Sequence, residues 1–267
     1  MSSWVIVGST RGIGFEYVNQ LSADDKNTVF ALIRSRKTAG PLEELAAKRK
    51  NIHVIETDIS SSSRLEETAK TVGNVTGSKL DVLVFNAFHA GTENAMTPPS
   101  AFTGKETELE MEIFEPLKVN LLHLMYAVNA FLPLIRNGHE KKIIYISSGL
   151  GDVNVTRTTE VAVQLGYAVS KASGNIIMAK YAAELKSEGI FTLSLSPGWV
   201  ATDAALGIVK TPETFQALLQ AFQKLDPSVT GMISTDESVK QQLAVIEDLD
   251  ASKSGSFVSH HGNQNWL

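Results

Sequence analysis

The 267-residue chain contains no cysteine. Disulfide bonds, thiolate catalysis and cysteine-ligated zinc are therefore excluded. Histidine is also scarce: the 6 histidines form no HExxH spacing, and the adjacent pair His260 and His261 would point to opposite faces of a strand. The sequence gives no basis for a metal site, and we expect none.

Basic stretches and long apolar runs are missing too. The net charge is −5 and no stretch of the sequence is strongly basic, which argues against a nucleic-acid partner. The longest apolar segment, 121–135, is interrupted by His123, Asn129 and Pro133 and is shorter than the ~20 residues of a membrane span. The amino-terminal residues lack the basic and apolar regions of a signal peptide. We expect a soluble, cytoplasmic protein without a membrane partner.

Short apolar runs alternate with helical patterns along the chain. The predicted strands are 4–7, 28–33, 53–57, 82–85, 142–147, 191–196 and 256–259, and the predicted helices are 13–23, 42–50, 64–72, 116–136, 167–187, 212–224 and 237–249. Strands separated by helices are typical of an α/β fold, here a doubly wound parallel sheet of about seven strands with helices on both faces. No linker divides the chain, so residues 1–267 are predicted to form a single domain.

Local signals support some helix boundaries. Ser63, three residues before Glu66, predicts a capping box, and Thr211 with Pro212 fits an N-cap and a first helical position. Three connections are long: 88–115, 149–166 and 199–211. Each follows a strand and so opens at the carboxyl edge of the sheet, where α/β folds bind ligands. These connections are predicted to form the substrate pocket.

A glycine cluster lies between the first strand and the first helix. Gly8, Gly12 and Gly14 permit a tight turn and let a pyrophosphate approach the backbone, while the helix amino terminus offers N–H groups to the phosphates. The second strand ends without the carboxylate that would bind an NAD ribose and is followed by Arg34. Together with Arg11 in the glycine loop, Arg34 could clamp a 2′-phosphate. NADP(H) is therefore favoured over NAD(H).

Tyr167 and Lys171 are four residues apart, a spacing that places both side chains on one face of a helix. A free phenol titrates near pH ~10. An ammonium ~4 Å away would favour the phenolate by roughly 4 kcal/mol at an effective dielectric constant of ~20, which would bring its pKa towards neutrality. The pair is a candidate for proton transfer, with Ser147 and Ser148 just upstream.

Taken together, these motifs resemble the short-chain dehydrogenase/reductase family over nearly the whole chain. The resemblance implies a Rossmann-type fold and an NADP-dependent oxidoreductase that reduces a ketone or aldehyde. It implies Asn120, Ser148, Tyr167 and Lys171 as catalytic residues, with Ser147 a less favoured alternative to Ser148. It implies cofactor contacts from Gly8, Thr10, Arg11, Gly12, Ile13, Gly14, Arg34, Asp58, Ile59, Asn86, Ala87, Tyr167, Lys171, Pro197, Gly198, Val200 and Thr202.

The mechanism that the resemblance implies is carbonyl reduction. Tyr167 would donate the proton, Ser148 would bind the carbonyl oxygen, and Lys171 would lower the tyrosine pKa and hold the nicotinamide ribose. Asn120 would position a water in a proton relay to Lys171. Val200 and Thr202 would hold the carboxamide.

Two departures from the family pattern concern the substrate. Phe88 stands where a glycine usually follows the asparagine-alanine step, so either the backbone differs there or Phe88 forms a wall of the pocket. The connection between Ser148 and Tyr167 is also expanded. A looser similarity to a carbonyl reductase subgroup that includes norsolorinic acid ketoreductases suggests an aromatic or polyketide ketone. The alternatives are a dinucleotide-binding module without redox turnover, or an isomerase or cyclase that uses the same pocket.

The family resemblance further implies a homodimer or homotetramer. The contacts would involve the helices predicted at 116–136 and 167–187.

Overall fold

The computed structural model describes residues 2–209 and 211–267. Its strands are β1 Ser3–Val7, β2 Thr28–Ile33, β3 Ile52–Glu56, β4 Val82–Phe85, β5 Lys142–Ile146, β6 Phe191–Ser196 and β7 Phe257–Ser259. Its helices are α1 Gly12–Leu21, α2 Gly40–Lys48, α3 Ser62–Thr76, α4 Glu106–Leu117, α5 His123–Arg136, α6 Val153–Thr159, α7 Leu165–Leu185, α8 Asp203–Ile208, α9 Pro212–Gln223 and α10 Thr235–Glu247.

The strands form one parallel sheet in the order β3-β2-β1-β4-β5-β6-β7. Alternate residues of a strand face opposite sides, so a strand covered on both faces reads as a continuous apolar run. In β1, Val5 and Val7 belong to the hydrophobic cluster on one face, while Trp4 and Ile6 belong to the cluster on the other. The predicted doubly wound fold with about seven strands is confirmed.

Several predicted boundaries and one predicted cap differ from the structure. The N-cap of α3 is Ser61, whose hydroxyl accepts a hydrogen bond from Arg64 N, so the prediction of a cap at Ser63 is wrong. The predicted cap at Thr211 is confirmed, because its hydroxyl accepts from Thr214 N. Each of the three long connections contains helix: α4 begins within the first, α6 lies in the second and α8 in the third. Lys210, within the predicted connection 199–211, lies outside the described residues.

The helix predicted at 116–136 begins earlier, at Glu106, and is interrupted by a π-helical turn at Lys118–Leu122. In that turn His123 N donates to Lys118 O, five residues back, which offsets the face of α5 relative to α4. The whole stretch Glu106–Arg136 is long and apolar enough to span a membrane by length and composition. Leu124, Val128 and Phe131 of α5 lie buried in the hydrophobic cluster against the sheet, so core packing accounts for part of this apolar character, while Met111 and Phe114 of α4 are exposed.

Candidate active site

The predicted site residues follow the carboxyl ends of neighbouring strands. The glycine loop follows β1, Arg34 follows β2, Asn86 follows β4, Ser148 follows β5 and Pro197 follows β6. Because all strands are parallel, these segments meet along one edge of the sheet. The topology therefore brings together the two halves of the site that the sequence predicts.

The glycine loop is packed too closely for side chains at two positions. Gly8 has φ +89°, and a Cβ there would lie 2.8 Å from the Ala87 backbone. A Cβ on Gly14 would lie 2.1 Å from Gly8 O. Asn86 Nδ2 also donates to Gly8 O at 2.9 Å, which ties this loop to the end of β4. Both residues thus contact the backbone of Gly8, Asn86 through its side chain and Ala87 through its own backbone.

The start of α1 fits an anionic ligand. Its N-cap residue, Arg11, makes no side-chain cap, so the N–H groups of the first turn are left without a side-chain acceptor. Arg11 pairs with Asp203 at 3.7 Å, and both side chains are mostly exposed. Gly12 faces the side chain of Thr202, 3.5 Å from where its Cβ would be. Of the other two predicted loop residues, Ile13 packs against the core and Thr10 remains partly exposed.

The residues predicted to contact the adenosine half lie on the β2 and β3 side. Arg34 is exposed immediately after β2. Arg36 is already engaged, because it pairs with Glu43 and donates to Val54 O. Arg34 is therefore the better placed of the two for a 2′-phosphate.

Asp58 and Ile59 follow β3. Asp58 is exposed and accepts from Ser60 N at 2.9 Å and Ser60 Oγ at 2.7 Å, and these hydrogen bonds lower the pKa of its carboxyl group. Ile59 packs against the core. A ligand at this edge would meet a carboxylate already fixed by a turn.

The segment after β6 is held from behind by the carboxyl-terminal residues. Gly198 has φ +86°, and a Cβ there would lie 2.6 Å from the His260 ring. Pro197 O accepts from Ser238 Oγ at 2.7 Å. Val200 is buried and bridges to Ile233, and Thr202 caps α8 by accepting from Ala205 N. The predicted carboxamide contacts thus lie on a rigid segment.

The two serines after β5 have different surroundings. Ser147 is buried, and its hydroxyl donates to Asn175 Oδ1 at 2.6 Å. Ser148 is partly exposed, and its hydroxyl accepts from Leu150 N at 3.2 Å. The Ser148 hydroxyl faces the Tyr167 phenol, whereas the donor of Ser147 is used by Asn175. This difference favours Ser148 as the catalytic serine.

Lys171 lies beneath aromatic rings. Its side chain is buried, and Nζ donates to Ile146 O at 2.7 Å. Nζ lies 4.7 Å from the ring centroid of Tyr145 and 5.5 Å from that of Tyr167. The described residues include no salt bridge to this ammonium. Burial therefore lowers the pKa of Lys171 to about 7.

The prediction that Lys171 brings the pKa of Tyr167 towards neutrality is wrong, because the pKa of Tyr167 is raised. Tyr167 keeps part of its surface exposed, but burial raises its pKa to about 12. The nearby Ser148 hydroxyl acts in the opposite direction and lowers it. Desolvation of the phenol is the larger of these two effects. Tyr167 consequently holds its proton at neutral pH.

Asn120 is fully buried in the π-helical turn between α4 and α5. Its Nδ2 donates to His89 O at 3.0 Å and to Ser170 Oγ at 2.8 Å, and its Oδ1 accepts from His89 N at 2.8 Å. Both side-chain N–H groups are used, so the amide connects the segment after β4 to α7. Any water in a relay to Lys171 would therefore have to donate a hydrogen bond to an oxygen atom of Asn120, because both N–H groups of the side chain are engaged.

Phe88 lies beside the catalytic pair. Its ring is edge-on to Tyr167 with centroids 6.2 Å apart, and Lys171 Nζ is 5.7 Å from its centroid. The side chain is 44% exposed, so it presents an apolar surface at the opening of the site. Of the two alternatives, the structure favours Phe88 as a wall of the pocket.

Three supporting residues were missed by sequence analysis. A Cβ on Gly174 would lie 2.4 Å from the Tyr145 ring, so Gly174 allows α7 to approach β5. Asn175 fixes Ser147, and buried Glu112 binds the first turn of α7. All three contacts join residues far apart in sequence, and no local pattern marks them.

The lowered pKa of Lys171 predicts a pH-dependent stability. The unfolded side chain titrates near pH ~10.4, so between pH about 7 and pH about 10 the unfolded state binds more protons at this position. Its contribution therefore makes the free energy of unfolding rise with pH. We expect the free energy of unfolding of the native chain minus that of Lys171→Met to become more positive from pH 7 to pH ~9.5 in urea titrations.

Lys180→Met, on the exposed surface of the same helix, is the matched control and should show no such trend. A pH-independent difference for Lys171→Met would contradict the lowered pKa.

Comparison with known proteins places this geometry in a family. Residues 3–213 match the model of the short chain dehydrogenase family. The chain is 54% identical over 267 residues to the short-chain dehydrogenase/reductase atnB of Arthrinium sp, with 100% of both chains covered. It is 37% identical over 274 residues to the short chain dehydrogenase virK of Hypocrea virens, again with 100% of both chains covered.

Solved structures agree with the fold. The NADPH-bound carbonyl reductase from chicken fatty liver superposes with a TM-score of 0.77 at 26% identity, covering 98% of each chain. The carbonyl reductase Sniffer of D. melanogaster gives a TM-score of 0.78 at 24% identity, also over 98% of each chain. With the serine, tyrosine and lysine gathered beside a glycine loop, these matches confirm the sequence-based assignment: the chain belongs to the short-chain dehydrogenase/reductase family.

Proposed function

We propose that the protein reduces a ketone or aldehyde to an alcohol, with NADPH as the hydride donor. The observation that carries this proposal is the convergence of Ser148, Tyr167 and Lys171 at the edge of the sheet that also carries the glycine loop and the first turn of α1, which has no side-chain cap. A family relationship and the fold shared with an NADPH-bound carbonyl reductase support it.

When bound, the nicotinamide would supply the hydride. The chain supplies the proton: a Tyr167 pKa of about 12 keeps the phenol protonated at neutral pH, as the acid in a reduction must be. The hydroxyl of Ser148 would donate to the carbonyl oxygen as negative charge develops there. Lys171 would hold the ribose and return a proton to Tyr167.

The cofactor would lie along the edge of the sheet. The first turn of α1 and the glycines Gly8, Gly12 and Gly14 would hold the pyrophosphate, and Arg11 with Arg34 would hold the 2′-phosphate. The other predicted contacts, which we retain as proposals, are Thr10, Ile13, Asp58, Ile59, Asn86, Ala87, Pro197, Gly198, Val200 and Thr202. The role of Asn120 is proposed to be the anchoring of His89 and Ser170, with any water relay passing through its acceptors.

The substrate is proposed to be a ketone with a large apolar body, such as an aromatic or polyketide ketone. Phe88 offers one apolar wall beside Tyr167. A groove of about 420 Å³ lies between α9 and two of the predicted substrate connections, 88–115 and 149–166, with Met96, Val161 and Leu218 among its lining residues. No feature of the site favours a binding module without turnover, or an isomerase, over a reductase.

We further propose that the chain acts as one domain, in the cytoplasm, as a homodimer or homotetramer. Exposed apolar side chains on α4, the π-helical turn, α5 and α7 support self-association, and these are Met111, Phe114, Leu122, Tyr126 and Ile176. A second copy of the same helices would cover this surface.

Replacement of Tyr167 by phenylalanine tests the proposed chemistry. Tyr167→Phe should lower the rate of NADPH-dependent carbonyl reduction by about 10²–10⁴-fold, because the proton donor is lost while the ring is kept. NADPH absorbance at saturating ketone measures the rate, and fluorescence titration should show NADPH binding retained. Tyr181→Phe, on the same helix but with its hydroxyl bonded to Asn129 of α5, is the control and should match the native rate. A native rate in Tyr167→Phe would remove the phenol from the mechanism.

The cofactor preference depends on Arg34. Arg34→Ala should weaken NADPH binding by about 10–100-fold and leave NADH binding nearly unchanged, because a charge-assisted hydrogen bond to the 2′-phosphate is lost. Titration with both cofactors measures this, with Lys70→Ala on α3 as a charge-matched control. Equal losses for NADPH and NADH would argue against a contact with the 2′-phosphate.

Light scattering at low micromolar concentration tests the assembly. The native chain should have two or four times its 28.9 kDa mass, and Ile176→Asp should shift it towards the monomer because a charge is placed in the apolar surface. Val75→Asp, at an exposed position of α3, should leave the assembly intact. A monomeric native chain would refute the proposal.

A further inference from the structure

Glu112 is a buried acidic residue that the proposed mechanism does not use. It lies on α4, and its side chain has no exposed surface. The ion pairs among the described residues do not include it. Its carboxyl oxygens instead accept hydrogen bonds from groups in two other segments, so its position must be explained by what it joins.

The first segment is the loop that precedes α4, within the predicted substrate connection 88–115. Glu112 Oε2 accepts from Thr92 Oγ1 at 2.6 Å and from Thr92 N at 3.0 Å. Gly91, with φ +118°, brings the chain so close that a Cβ there would lie 3.3 Å from Glu112 Oε1. The carboxyl group therefore fixes the loop a few residues after Phe88.

The second segment is the first turn of α7. Glu112 Oε1 accepts from Gly166 N at 3.3 Å, and Gly166 immediately precedes Tyr167. The two backbones are in contact, because a Cβ on Gly166 would lie 1.7 Å from Glu112 O. Only glycine at this position allows the carboxyl group to reach the start of the helix.

The amino terminus of α7 needs such an acceptor. The first four N–H groups of a helix have no partner within the helix, and a side chain at the N-cap usually accepts one of them. The N-cap residue here, Gln164, is left-handed with φ 61° and makes no side-chain cap. Its backbone N–H donates to Ala95 O at 2.6 Å, a second tie to the same loop. Glu112 thus replaces the missing cap from a neighbouring helix.

We propose that Glu112 is a positioning residue, which holds the first turn of α7, and with it Tyr167, in register with the substrate connection. The inference rests on the proposed function, since it assigns Glu112 an effect on the proton donor of that reaction. Small displacements of a catalytic group can cost about 10²-fold in rate. The carboxyl group is matched to its partners because it offers acceptors on both oxygens.

Glu112→Gln provides a direct test with little change in volume. A glutamine has one oxygen and one NH₂ group. Its oxygen can accept from Thr92 or from Gly166, but its NH₂ group then faces the N–H of the other residue, where no hydrogen bond can form. We expect kcat for the ketone to fall by about 10–100-fold while NADPH affinity is unchanged. Glu110→Gln, exposed on the same helix, is the matched control and should keep the native kcat.

Thr92→Val separates the two segments. It removes one donor from the loop and leaves the bond between Glu112 and Gly166, so KM should rise while kcat stays near the native value. Hydrogen exchange adds a readout that needs no turnover: Glu112→Gln should speed exchange of the Thr92 and Gly166 amides. A native kcat in Glu112→Gln, even with a lowered melting temperature, would reduce Glu112 to structural support and overturn the proposal.

Failure of the proposed function gives a different result. If the native chain reduces no ketone or aldehyde, the exchange rates alone decide about Glu112. Faster exchange at both amides would support the link between loop and helix, and unchanged exchange would overturn it.

Discussion

The contact between α7 and β5 is the constraint on which the site depends. Lys171 can donate to Ile146 O only because the helix lies directly on the strand, and that approach requires glycine at 174, beneath the Tyr145 ring. The cost is a buried ammonium that forms no ion pair with any of the described residues, and burial lowers its pKa. Tyr167, on the same face of the helix, is carried to the edge of the sheet by this contact.

The two halves of the site are joined by the segment after β4. Ala87 lies against Gly8 of the glycine loop, and His89 is bound on both its backbone groups by Asn120. Phe88 is held between them with its ring beside Tyr167. The phenylalanine that departs from the family pattern therefore lies between the segment that contacts the glycine loop and Tyr167, and its neighbour His89 is fixed by partly buried hydrogen bonds.

Much of this architecture could be predicted from the sequence, because it depends on local patterns. The bounds of β2, β4 and β6 match their apolar runs, and the glycine loop and the Tyr167–Lys171 spacing identify the site. Other features depend on tertiary packing and leave no local signal. The π-helical turn, the raised pKa of Tyr167 and the buried partners of Glu112 all result from residues distant in sequence. The pKa prediction failed because spacing reveals a neighbouring charge but not the burial that outweighs it.

A crystal structure of the complex with NADPH tests the central claim most directly. The account predicts the phosphates at the first turn of α1 and the nicotinamide between Gly198 and the Tyr167 hydroxyl, with Lys171 Nζ within hydrogen-bonding distance of the ribose. A complex with the Tyr167 hydroxyl turned away from the nicotinamide, or with the cofactor bound away from the glycine loop, would contradict it.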